Sequence, residues 1–60
     1  MKMEEKTYTL WGSSDEDGKI FVDITYQVNE NIQKEIRFYM AEHQIQFIDL
    51  LDEAGYKDVT

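Results

Sequence analysis

Apolar and polar residues alternate from Lys19 to Val28, with Ile20, Val22, Ile24, Tyr26 and Val28 on one parity and Lys19, Phe21, Asp23, Thr25 and Gln27 on the other. A period of two puts successive side chains on opposite faces, so this segment reads as a half-buried β-strand. Residues 32–40 repeat the pattern: Ile32, Ile36, Phe38 and Met40 share a parity that only Lys34 interrupts. Asn29, Glu30 and Asn31 lie between the two runs, and loop length decides the register, because a one-residue slip moves every side chain to the other face. A three-residue loop sets Val28 opposite Ile32, Ile24 opposite Ile36, Val22 opposite Phe38 and Ile20 opposite Met40. A two-residue loop sets Ile24 against Arg37 and Val22 against Tyr39. The first keeps apolar residues together. It predicts a left-handed backbone at Asn31, which asparagine tolerates, and on the other face it pairs Asp23 with Arg37 and Phe21 with Tyr39.

The same reasoning applies to TYTLWGSSDEDGKI. With Gly18 supplying the positive φ at the end of a loop Glu16-Asp17-Gly18, Asp15 pairs with Lys19, Leu10 with Ile24 and Tyr8 with Tyr26. Trp11 then shares a face with Phe21. Beyond Met40 the period changes to that of a helix: Phe47, Ile48, Leu50, Leu51 and Ala54 form an apolar stripe, with Glu42, Gln46, Asp49, Asp52 and Glu53 opposite. Gly55 is placed to end that helix. His43 falls near its start, at the edge of the stripe. The expected fold is α+β, one domain spanning residues 1–60: a three-stranded antiparallel meander of about residues 6–12, 19–28 and 32–40, then an amphipathic helix of about 43–54. The helix is expected to pack on the face bearing Ile20, Val22, Ile24 and Phe38. The other face is expected to expose Trp11, Phe21, Asp23, Arg37 and Tyr39, which makes these five the candidate partner- or substrate-facing surface.

Composition narrows the chemistry. Sixty residues without cysteine or proline allow neither disulfides nor thiolate zinc sites. Thirteen acidic residues against six basic ones give a net charge of -7, which repels nucleic-acid phosphates and anionic lipid, so neither nucleic acid nor membrane is an expected partner. A hydrophobic fraction of 42% argues for a folded chain over an acidic tail. The opening MKMEEKTYTLWG lacks the apolar core of a signal peptide and no apolar run approaches a membrane span, so a cytoplasmic setting is expected. SSDEDGK suggests a calcium loop, but aligning Gly18 to the glycine of such a loop places Ser13 at the first ligand position and Ile24 at the bidentate carboxylate. A solvated hairpin turn fits better. His43 has no ligand spacing around it, and Ser13 and Ser14 have no neighbouring base, so the sequence offers no metal centre, no cofactor site and no catalytic residues.

EIRFYM, then FIDLLDEAGY, then KDV resembles the C-terminal part of class I S-adenosylmethionine-dependent methyltransferases. In that family a strand ending in an Arg-x-Tyr-like pattern leads to a helix of the form Leu-x-x-Leu-Leu-x-x-Ala-Gly-Phe and then to a late strand of the main sheet. Arg37 and Tyr39 match the first part; Phe47, Leu50, Leu51, Ala54, Gly55 and Tyr56 match the second. Residues 7–40 look like the antiparallel excursion that many members fold over their substrate. The segment MAEHQIQ is several residues longer than the family's usual helix start, and the family's glycine-rich cofactor turn and its acidic partner are absent. The resemblance therefore implies a substrate-lid segment that neither binds the cofactor nor catalyses, with KDVT as the first residues of a strand whose partners lie elsewhere. Such a lid, or a free-standing module, is expected to self-associate through its sheet, as a homodimer, when it is not part of a parent enzyme. The alternative is a small acidic phage- or plasmid-type protein that binds and inhibits a basic nucleic-acid-handling partner.

Overall fold

In a computed structural model, residues 6–60 are described. Strand β1 spans Thr7–Ser14, β2 spans Ile20–Asn29 and β3 spans Ile32–Phe38; helix α1 spans Ala41–Glu53, and a short strand β4 covers Lys57–Asp58. The three long strands form the expected antiparallel meander, with the helix on one face. β4 adds to it, running parallel to β1, so the sheet order is β3-β2-β1-β4. The α1 connection thus crosses the sheet from the β3 edge to the β4 edge.

The first hairpin has the register expected from its loop: Tyr8 faces Tyr26, Leu10 faces Ile24 and Ser14 faces Ile20. Gly18 takes φ of 81°, and the Asp15 carboxylate accepts hydrogen bonds from the Asp17 and Lys19 amides, which fixes the turn. In the second hairpin Val22–Phe38, Asp23–Arg37 and Ile24–Ile36 pair as expected. Its end differs. A bulge at Val28 lets Asn29 pair with Ile32 in place of Val28, leaving the two-residue turn Glu30-Asn31. Among the described residues no non-glycine has a positive φ, so Asn31 is not left-handed. The Asn29 side chain makes the turn instead, its Oδ1 accepting the amides of Asn31 and Ile32 at 2.8 and 3.0 Å. An Asx turn supplies locally what the left-handed residue was expected to supply.

The core is small. Tyr8, Ile24 and Leu51 are buried, with Leu10, Val22, Tyr26, Phe38, Phe47, Ile48 and Tyr56 packed around them. Tyr26 and Phe38 both meet Phe47, at ring separations of 5.5 and 5.4 Å. The helix begins at Ala41 and not at 43, with Met40 as its N-cap, so β3 stops at Phe38 and the expected Ile20–Met40 pair does not form. The chain leaves the sheet at Tyr39 to start a helix that must cross the strands. Ile20 is consequently uncovered, at 75% exposure. Leu50 and His43, expected on or beside the stripe, are exposed as well. At the other end Gly55, φ 92°, follows the C-cap Ala54, and the Tyr56 and Gly55 amides donate to Leu51 and Asp52 carbonyls in the paired pattern of a Schellman stop.

KDVT finds its partner within the chain. The Lys57 amide donates to the Lys6 carbonyl, Val59 to Tyr8, and Thr60 Oγ1 accepts the Leu10 amide at 2.8 Å. The expectation of absent strand partners is corrected accordingly.

Candidate functional site

The face of the sheet opposite α1 carries the odd-numbered side chains of the three long strands. Of the five candidate residues, four form one cluster. Arg37 on β3 stands opposite Asp23 on β2, and its Nε and Nη2 donate to Asp23 Oδ1 and Oδ2 at 2.8 and 3.1 Å. Backbone geometry favours this contact. Because Tyr8 and Leu10 turn their backbone groups towards β4, the odd residues of β1 bond to β2, and the even residues of β2 bond to β3. Asp23 and Arg37 are therefore a non-hydrogen-bonded pair, the kind whose side chains lie closest.

The Arg37 guanidinium also lies over Phe21, 3.7 Å from the ring centroid, and Tyr39 meets the same ring edge-on at 5.8 Å. Phe21 was expected to be exposed; it is 7% exposed, because the planar cation and Tyr39 roof it. A stacked guanidinium can cover an aromatic face while keeping its bidentate fork for a carboxylate, which an ammonium cannot do. Asp23 is buried in the same arrangement. Its pKa is held below the ordinary carboxylate range by the hydrogen bonds from Arg37, and that of Arg37 is raised in turn.

Trp11, the fifth candidate, faces Asp23 across the β1–β2 ladder yet is 71% exposed, outside the roofed cluster. Beside the cluster an open groove of about 500 Å³ is lined by Ser14, Asp15, Glu16, Asp17, Phe21 and Arg37. Asp15 in its wall has a lowered pKa, chiefly because the Lys19 amide donates to it, with smaller contributions from the Asp17 amide, Tyr39 and Arg37. Those turn carboxylates were read as a solvated loop; Asp15 is instead engaged by the turn's own backbone amides. Among the described residues no three His, Asp or Glu side chains come together in a geometry that could hold a metal ion. None of the described helices is long and apolar enough to cross a membrane.

The chain matches no family model, no curated protein and no solved structure.

Two groups escaped the sequence reading. Tyr8, read only as a core strand residue, donates its hydroxyl to Asp52 of the helix at 3.1 Å, and burial together with that carboxylate raises its pKa. Thr60 and Asp58 form a terminal clasp, the Asp58 carboxylate accepting the Thr60 amide at 2.9 Å, and this lowers the Asp58 pKa. An Asp-x-Thr spacing signals such a turn, but a β4 of two residues is too short to show a period.

Proposed function

We propose that this chain is a non-catalytic association module that works by presenting its sheet to another protein surface, the role implied by its resemblance to a methyltransferase lid segment. The observation that carries the reading is the half-covered sheet. A single helix roofs one face, Trp11 stands out from the other, and among the described residues β3 ends the sheet as a seven-residue strand bonded on one side only. A large exposed indole and an open strand edge are features that a partner surface can cover. For the isolated chain the partner is a second copy, arranged about a two-fold axis. The cluster of Arg37, Asp23 and Phe21 is the stiff floor of that surface, its side chains already committed to one another.

Sedimentation equilibrium tests this. Two copies at -7 repel, so a dimer is expected that strengthens as salt rises and screening shortens. A strict monomer at hundreds of micromolar in both low and high salt overturns the reading. The net charge supports a second reading, as an acidic ligand for a basic nucleic-acid-handling protein. Under that reading the chain is retained on an immobilised basic DNA-binding protein and released by salt; retention that ignores salt excludes it.

A further inference from the structure

The sheet has two places where a second copy could add a strand. On β1 the outward backbone groups beyond the reach of β4 belong to Gly12 and Ser14, since Thr60 already occupies Leu10. Pairing there is short, and it brings together two copies of the acidic turn Asp15-Glu16-Asp17. On β3 the outward groups are those of Gln33, Glu35 and Arg37, because the even residues bond inward to β2. That edge is the longer, and α1 leaves it by crossing towards β4.

Charge then selects the register. Two antiparallel copies of β3 can match their outward groups only with the two-fold axis passing through a residue. An axis at Glu35 sets Glu35 against Glu35, at Lys34 it sets Lys34 against Lys34, and at Arg37 it sets Arg37 against Arg37. Like charges directly opposite are destabilising. An axis at Gln33 runs out of strand at the turn. An axis at Ile36 sets Glu35 of each copy opposite Arg37 of the other, twice, and brings the two Ile36 side chains together on the helix-covered face. Part of the guanidinium still faces outward, because Asp23 takes Nε and Nη2 and leaves Nη1 while the Arg37 side chain is 48% exposed; among the described residues Glu35 is held by a long contact of 3.5 Å from Thr25 Oγ1.

Resting on the association reading above, we infer that this chain dimerises by antiparallel pairing of β3 with β3 across a two-fold axis at Ile36, with reciprocal Glu35–Arg37 pairs fixing the register. The result is one continuous sheet of two four-stranded halves. The two helix-free faces become one surface, with a Trp11 towards each end.

The absence of cysteine allows a direct test. In the non-hydrogen-bonded position on the axis, Cα atoms lie about 4.5 Å apart, within the range a disulfide spans. Ile36→Cys is therefore expected to form a covalent dimer under mild oxidation, and Trp11→Cys is not. Should Ile36→Cys fail to fold, the surface variants decide. Glu35→Lys faces Arg37 of the second copy and is expected to abolish the dimer. Glu35→Pro removes an outward amide that the β2–β3 ladder does not use, and is expected to abolish it while leaving the circular dichroism spectrum in place. A dimer that survives both Glu35 variants, or that cross-links through Trp11→Cys instead, overturns β3 pairing and leaves the association reading standing. A monomeric parent chain overturns both.

Discussion

Leu50 and Leu51 are neighbours in the same apolar stripe by sequence, yet the fold separates them: Leu51 is 5% exposed in the cluster with Tyr8 and Ile24, while Leu50 is 62% exposed. Truncating each to alanine is therefore a matched pair. Leu51→Ala removes three buried carbons, about 2.4 kcal/mol at about 0.8 kcal/mol per group. A residual cavity adds to this, and leucine-to-alanine changes in cores span about 2–5 kcal/mol. The core here is two layers thick and can partly collapse, which places the loss at about 3 kcal/mol. A 60-residue domain holds about 3–9 kcal/mol in all. The variant is thus expected to lose about 12–24 °C of melting temperature, at about 4–8 °C per kcal/mol for a domain of this size. Leu50→Ala exposes little new surface and is expected to change stability by less than about 0.5 kcal/mol. Thermal and urea melts followed by circular dichroism read both. Equal losses at the two positions, or a Leu51→Ala protein that melts like the parent, would refute the packing of α1 described above.

Gly18→Ala and Gly55→Ala each force a side chain into a left-handed backbone with no atom within 4 Å of the added carbon, so each is expected to cost about 1–2 kcal/mol of purely conformational origin, measured by urea melts. Tyr8→Phe removes the hydroxyl that donates to Asp52 and is expected to cost about 1 kcal/mol at neutral pH. The parent should also lose stability above about pH 10, because the Tyr8 pKa is raised on folding and its contribution fades as pH rises through the folded value; Tyr8→Phe should lack that component. On the acid side Asp15, Asp23 and Asp58 all have lowered values, so their contribution is present above the unfolded value of about 4 and is lost as pH falls through the folded ones. The melting temperature should accordingly fall below about pH 4, and in Asp23→Asn that fall should be shallower.

The strands of the meander were legible because a period of two leaves one register that keeps Val22, Ile24, Ile36 and Phe38 on a common face. That same register delivered the Asp23–Arg37 pair. What pattern could not carry was geometry that depends on how far an element reaches. Ile20 and Val22 share a parity, but only Val22 lies under the helix, because the crossing to β4 takes α1 away from the end of the sheet at Ile20. Phe21 has the parity of an exposed residue and is buried, because a side chain from the next strand lies across it. The turn at Asn29 kept the body of the hairpin in register by spending the extra residue as a bulge at Val28, an outcome that the pairing of Ile24 with Ile36 cannot distinguish from a longer loop. The start of a strand at KDVT was read, but its partner was not, because the pairing exists only where the chain after Gly55 turns back along β1.

These departures share a direction, and it bears on the association proposed above. An exposed Phe21 beside Trp11 would have made the helix-free face a greasy patch, able to bury itself against a copy by face-to-face contact. With Phe21 sealed under Arg37, that face presents charge around Trp11 and a half-exposed Tyr39, and less apolar area on it remains to be hidden. β4 acts in the same direction, because it occupies the near half of the β1 edge. Among the described residues, unpaired backbone then concentrates on β3, where Glu35 and Arg37 sit two residues apart on one face. Antiparallel self-pairing turns a spacing of two with opposite charges into two attractive pairs, whereas it turns any single charge on the axis into a repulsive one. Under the proposed association, the drive thus moves from aromatic burial to backbone pairing and charge register. Such an interface should respond to a reversed charge at Glu35 more steeply than to the loss of the Trp11 ring.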